Sequence, residues 1–331
     1  MKLQEIKNIA VIGAGTMGPG MAQVFAQHHY HVGLCDLSEQ ALEKAQSIIR
    51  ANLETLAEHD LVKASEIERI ENHITFTDSL ENAATNADLV LESIIEDREA
   101  KRSIFHYLAE ICSEDTIFAS NTSYINIFEL MVDVRQPNAI IAHWFNPPHI
   151  LPLVEVVRGP KSSDDTVDLV VDLLRKVGKI PVVMEKYVPG FAINRILRIL
   201  GRETFFLLDN GYITAEQLDL AAKASIAPRM MLLGVVQRYD FTGLDLSAKN
   251  LQNKEFLEPP MDNEPKSLFS LVEKGHLGIK TGKGFYDYHG KKPEEVLKER
   301  DGNLLRILKC AEFCLKAWEK GKAEDEYWEK Q

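Results

Sequence analysis

The chain has 331 residues, 45% of them hydrophobic, enough for a sizeable core and for two domains of ordinary size. A net charge of −12 and an isoelectric point near 5.4 argue against a nucleic-acid partner. No apolar run is long enough to span a bilayer, and the polar start Met1–Lys7 does not read as a signal peptide, so a cytoplasmic protein is expected.

Lys7 to Gly13 reads as a short strand of β-branched and apolar residues. Gly13-Ala-Gly15-Thr16-Met17-Gly18 follows at once, and Pro19 to Gln27 continues with helical spacing. Strand, G-x-G-x-x-G, helix is the context in which this motif binds a dinucleotide. Gly13 allows the tight turn, Gly15 lets a pyrophosphate approach the backbone, and Gly18 lets helix and strand pack closely. The helix start then offers free N–H groups to the phosphates. A second strand, His31 to Asp36, ends on an acid about 18 residues past Gly18, near the offset of about 20 expected for a ribose-binding carboxylate. No arginine follows it, so NAD is expected rather than NADP. An ordinary glycine turn would leave Asp36 unexplained.

Ser38 is placed to cap a helix from Ala41 to Leu56, and a second helix follows Ser65. The pair reads as a hairpin whose bases, Lys44, Arg50, Lys63 and Arg69, sit among more numerous acids as a solvated face. Ile74–Asp78 and Asp88–Ser93 read as strands, and the chain then turns into a helix through Leu108. Glu96 and Lys101 stand near a strand's carboxyl end, where open α/β sheets bind ligands; surface charge at a helix start is the plainer alternative. Thr116–Ser123 is a strand ending in polar residues that either cap the next helix or line a site.

Ala139–Ala142 is an apolar strand with His143 where it should end. Asn146-Pro147-Pro148 forces a turn, because proline fixes φ and lacks an N–H. Leu151–Val157 returns as a strand with one acid inside it, Glu155, which is costly there without a partner. This path could fold Glu155 back beside His143. A histidine held by a carboxylate is what a general base needs; the plainer reading is a strand-end histidine with a local ion-pair partner. Ser162 or Ser163 caps a helix ending near Gly178, and Ile180–Met184 makes a last strand. Alternating strands and helices predict a Rossmann-type, doubly wound, mainly parallel sheet over residues 1–187.

Beyond Pro189-Gly190 the pattern is helical, so residues 188–331 are expected to form an all-helical domain. Helices are predicted at Phe191–Leu208, from Thr214 with Gln217 in capping-box position, at Ser267–Glu273 and at Leu304–Trp318. Its apolar faces suggest a homodimer through this domain. The charged tail Lys320–Gln331 is expected to fray. The four cysteines show neither metal-type clustering nor disulfide density; Cys310 and Cys314 read as reduced packing residues sharing a helix face.

With these residues in view, the chain resembles the short-chain L-3-hydroxyacyl-CoA dehydrogenase family, including 3-hydroxybutyryl-CoA dehydrogenases. The resemblance covers almost the whole chain. It rests on Gly13–Gly18, Glu92-Ser-Ile-Ile-Glu96 with Lys101, Ser120-Asn-Thr-Ser123, His143-Trp-Phe-Asn-Pro147, Leu153-Val-Glu155, Gly190-Phe-Ala-Ile-Asn-Arg195, Gly243-Leu-Asp245 and Lys280-Thr-Gly-Lys-Gly-Phe-Tyr286. It implies NAD-dependent oxidation of a 3-hydroxy group in fatty acid metabolism. His143 would be the base and Glu155 its orienting acid. Ser123 and Asn194 would hydrogen-bond the reacting oxygen. Asn146 would hold the nicotinamide end, and Glu96 and Lys101 the nicotinamide ribose and phosphate region, with Lys280 a weaker contact to the cofactor. The leading substrate is a short-chain L-3-hydroxyacyl-CoA, with Lys63 and Ser65 of the hairpin meeting CoA. The Asn146–Glu155 form looks more like the L-gulonate 3-dehydrogenase/lambda-crystallin branch, with some likeness to carnitine dehydrogenases, and Gly234-Val-Val236 replaces the family's Gly-Pro-Phe. A CoA-free 3-hydroxy acid is therefore the alternative. A non-catalytic, crystallin-like NAD-binding protein is a third reading, disfavoured because it has no need of His143, Glu155, Ser123 and Asn194 together.

Overall fold

The computed structural model describes residues 1–256 and 258–315, in two compact units, Met1–Arg195 and Ile196–Gln331. The first unit is built on one eight-stranded sheet: β1 (Asn8–Ile12), β2 (His31–Cys35), β3 (Ile74–Thr77), β4 (Leu89–Glu92), β5 (Ile117–Ser120), β6 (Ala139–Trp144), β7 (Leu153–Arg158) and β8 (Ile180–Met184). Their order is β3-β2-β1-β4-β5-β6-β7-β8. Every neighbouring pair is parallel except β6 and β7, which pair antiparallel. The order reverses between β1 and β4, the switch point where doubly wound sheets bind ligands. Pro181 is tolerated in β8 because that strand is an edge.

Side chains alternate across a strand, so a sheet covered on both faces needs apolar residues at every position. β1 shows this: Ile9 and Val11 join one apolar cluster, Ala10 and Ile12 the other. The first cluster takes Met21 and Phe25 from α1 (Gly18–Gln27), Ile49 and Leu53 from α2 (Glu39–Glu58), Ile67 and Ile70 from α3 (Ile67–Glu71), and also Val167 and Leu174 from a later helix. The second takes Ala84 from α4 (Leu80–Ala84) and Phe105 and Leu108 from α5 (Arg98–Ile111). The later helix is α6 (Asp164–Lys176), capped by Ser163 Oγ, which accepts from Thr166 N at 3.2 Å. Ser38 caps α2 in the same way through Ala41 N. The second hairpin helix is shorter than its apolar pattern suggests: Ala64–Glu66 forms a 3₁₀ turn before α3.

The second unit, among its described residues, is helical with only isolated bridges at Gly278–Lys283 and Lys283–Asp287. α7 (Ile193–Asp209) enters it and is followed by α8 (Ala215–Ala221), a π-helical turn (Ala222–Ile226), α9 (Ala227–Leu233), α10 (Arg238–Thr242), α11 (Leu244–Leu251), α12 (Lys266–Glu273) and α13 (Pro293–Cys310). Thr214 caps α8, accepting from Gln217 N at 3.3 Å. Two expectations need correction. α13 starts at Pro293 rather than Leu304, because proline at the first turn and Glu294 and Glu295 behind it favour a helix start there. Cys310 closes α13 and is exposed, so it packs no core; Cys35, Cys112, Cys310 and Cys314 are free thiols. Trp318 and the tail Lys320–Gln331 lie outside the described residues.

Candidate active site

The nucleotide loop is shaped by what its glycines exclude. A Cβ on Gly13, whose φ is +110°, would lie 2.4 Å from the Ser93 carbonyl oxygen of the chain leaving β4. One on Gly18 would lie 1.9 Å from Gly13 O. These two glycines serve the fold. Gly15 differs: a Cβ there meets nothing within 4 Å, so glycine at this position leaves room for something that is not protein. Thr16 is exposed, and Met17, at the N-cap of α1, makes no side-chain cap. The first N–H groups of that helix are thus left to an anion. Asp36 closes the loop from the end of β2: Oδ2 accepts from Ala14 N at 2.8 Å and Oδ1 from Ser38 N at 3.0 Å. An open cradle over Gly15, an uncapped helix start and a half-buried acid beside them fit the pyrophosphate and ribose of a dinucleotide.

Behind this loop lies a network that the sequence reading missed. Glu92 ends β4 and is 0% exposed. Its Oε1 accepts from Lys101 Nζ at 2.6 Å and Ile94 N at 2.8 Å, and its Oε2 from Ser120 Oγ at 2.5 Å. Burial pushes the Glu92 carboxyl above its ordinary range, opposed by the Lys101 ammonium and these donors. Lys101 Nζ also lies 3.1 Å from Glu96 Oε2. Glu96 Oε1 accepts from Thr122 Oγ1 at 2.7 Å and Ser123 N at 2.5 Å. The surface-charge reading of Lys101 is therefore wrong: at 1% exposure it is spent on two acids, and Glu96 alone reaches the rim. The signal was available, since an acid inside Leu-Val-Leu-Glu raises the same question as Glu155.

His143 and Glu155 stand opposite each other in the antiparallel β6–β7 register. Cβ atoms so paired lie about 5 Å apart on one face. His143 Nδ1 meets Glu155 Oε2 at 2.8 Å, and both residues are buried. Glu155 Oε1 accepts from Ala192 N at 3.0 Å and Ile193 N at 2.9 Å, so one carboxylate holds both the imidazole and the start of α7. Phe145 and Phe191 pack on the imidazole with ring centres 4.6 and 5.2 Å away. With Nδ1 engaged, Nε2 is the nitrogen left for proton transfer.

Asn194 is the second residue of α7 and follows Ile193, whose N–H donates to Glu155; the backbone N–H of Ser123 is held by Glu96. Asn121, one of the polar residues that end the β5 stretch, ties β5 to β6: its Oδ1 accepts from Trp144 N at 2.7 Å. Asn146 is exposed at the end of β6 before a cis bond to Pro147. Lys63 is exposed on the hairpin, before the turn Ala64–Glu66. Lys280 belongs to the second unit and lines a cavity of about 530 Å³ there with Phe205, Leu271 and Tyr286.

The chain matches the profile of the 3-hydroxyacyl-CoA dehydrogenase NAD binding domain over residues 8–187 and that of the C-terminal domain over residues 190–288. It is 34% identical to 5-formyl-3-hydroxy-2-methylpyridine 4-carboxylate 5-dehydrogenase of Mesorhizobium japonicum, over 93% of this chain and 99% of that one. It is 35% identical to 3-hydroxybutyryl-CoA dehydrogenase of Clostridioides difficile, over 85% and 99%. The crystal structure of a 5-formyl-3-hydroxy-2-methylpyridine 4-carboxylic acid 5-dehydrogenase, described as an NAD+ dependent dismutase, superposes with a TM-score of 0.82 at 32% identity, covering 93% of this chain and 99% of that one. The glycine cradle, the sheet switch point and these matches agree: the chain belongs to the 3-hydroxyacyl-CoA dehydrogenase family and is an NAD-dependent oxidoreductase of that type.

Proposed function

We propose that this chain oxidises a secondary 3-hydroxy group to a ketone, with His143 as the general base. The observation that carries the reading is the His143–Glu155 pair at 2.8 Å, buried at the carboxyl end of β6. Bound NAD supplies the hydride acceptor. Nε2 of His143 takes the hydroxyl proton, which requires about 2.6–3.2 Å between the two atoms. Glu155 stabilises the imidazolium that results. Ser123 and Asn194 hydrogen-bond the reacting oxygen and fix its direction, a positioning effect. Asn146 holds the nicotinamide end, and Glu96 its ribose, with Lys101 steadying Glu96 from below.

For the substrate we favour a small 3-hydroxy acid that carries no CoA. CoA brings several phosphate charges, and the hairpin offers few free cations to meet them. Arg50 is committed to Glu54 and Glu71, and Arg69 to Glu66 and His29. The relative of greatest coverage among those above is also named for a carboxylate and not for a thioester. The second reading is a short-chain L-3-hydroxyacyl-CoA, supported by relatives named 3-hydroxybutyryl-CoA dehydrogenase and by the exposed Lys63. Initial rates with NADH and either acetoacetyl-CoA or small free 3-keto acids separate the two. The expected result is a higher kcat/KM with a free acid. A clear preference for acetoacetyl-CoA would establish the second reading.

We further propose a homodimer through the helical unit. Leu197, Ile199, Leu200, Leu232 and Val236 are all more than half exposed there, an apolar display larger than a solitary unit needs. Light scattering should give twice the chain's 37.4 kDa at micromolar concentration; a clean monomer would contradict it.

A further inference from the structure

Lys179 precedes β8 and is 5% exposed, yet no acid offsets its burial. Its ammonium donates to Pro148 O at 2.6 Å and to Leu151 O at 3.0 Å, and lies 5.2 Å from the ring centre of Trp144. These contacts converge on one short segment. Trp144 is the residue after His143 in β6; Pro148 and Leu151 lie on the turn that begins at Asn146. Within the turn Ile150 N and Leu151 N both donate to Pro147 O. On its other side it rests on α1: a Cβ on Gly20 would lie 2.6 Å from Pro148 Cγ. Phe25 of the same helix meets Trp144 with ring centres 5.8 Å apart. Side-chain alternation puts Trp144 and His143 on opposite faces of the sheet, so Lys179 acts from the α1 face and does not touch the dyad.

We infer that Lys179 is a positioning residue that pins the turn carrying Asn146 against α1, and so sets where the nicotinamide end of the cofactor is held; this rests on the role proposed above for Asn146. A buried lysine without a carboxylate is costly, and a packing role alone is filled better by leucine or methionine. What an apolar side chain cannot do is donate to two turn carbonyls at once while sitting on an indole face. Burial lowers the Lys179 ammonium to about 7. The neutral amine still has two N–H donors for the two carbonyls, so the pin persists on either side of neutrality.

The test compares wild type and Lys179→Met by calorimetric titration with NADH and with ADP-ribose, which lacks the nicotinamide. The expected result is weaker NADH binding, unchanged ADP-ribose binding and a turnover reduced by up to about 10²-fold at saturating NADH, the scale of a misplacement near 1 Å. Equal weakening of both ligands would reduce Lys179 to general support of the phosphate helix and overturn the inference. Unchanged binding and turnover would overturn it as well. Should Lys179→Met fail to fold, Lys179→Gln, whose amide nitrogen keeps two N–H donors but sits one bond short of the ammonium position, carries the same comparison, with the same two overturning outcomes. Loss of NADH binding by the wild type would instead strike at the cofactor site itself, a separate failure.

Discussion

Replacing His143 with glutamine is expected to lower turnover by about 10²–10⁴-fold, the range of general-base contributions, while NADH affinity stays near the wild-type value. Glutamine has similar reach, and its amide can still donate to Glu155 Oε2, so the carboxylate keeps a partner beside Ala192 N and Ile193 N. What it cannot do is accept a proton at neutral pH. Most of the cofactor contacts we propose lie on other elements: the loop after β1, the start of α1 and Asp36 at the end of β2, with Asn146 beyond the end of β6. Steady-state rates and a fluorescence titration with NADH check both halves. Near-normal turnover would remove His143 from its role; lost NADH binding would show that the substitution disturbed more than the base.

Lys101→Met is expected to cost about 3–5 kcal/mol of stability, the scale for removing one partner of a buried ion pair. Glu92 is completely buried and would keep only Ile94 N and Ser120 Oγ as donors. For a unit of this size the loss amounts to roughly 6–20 °C in Tm, at about 2–4 °C per kcal/mol. The double variant Lys101→Met/Glu92→Gln should recover most of it, because the neutral amide oxygen still accepts from Ile94 N and its NH2 donates to Ser120 Oγ, without a charge to bury. Denaturant unfolding of the three proteins is the measurement. Equal stability of wild type and Lys101→Met would mean that Lys101 and Glu92 do not depend on each other.

The glycine motif, the strand rhythm and Asp36 were readable in the sequence because each depends on neighbours within a few residues. The His143–Glu155 pair was readable for a different reason. A short proline turn joins two strands, and an antiparallel return must bring some residue of the second beside the end of the first. Glu92 and Lys101 were not read as a pair, because their environment comes from β5 and from the packing of α5. An acid at the end of one strand and a lysine one turn into the next helix look like surface charge until Ser120 closes on the one and Glu96 on the other. Lys179 was hidden the same way: its partners are carbonyl oxygens and an indole, which leave no mark in the pattern of charges. α4 was too short for any periodicity, and the interior Asp301 and Gly302 obscured the first half of α13.

The most direct test of the chemistry is a crystal structure of the chain with NADH and an unreactive hydroxy-acid analogue. The expected result places Nε2 of His143 about 2.6–3.2 Å from the oxygen on the carbon that faces the nicotinamide ring, with Ser123 and Asn194 on that same oxygen. A nicotinamide bound out of reach of His143, or an analogue oxygen held by other side chains, would contradict the account.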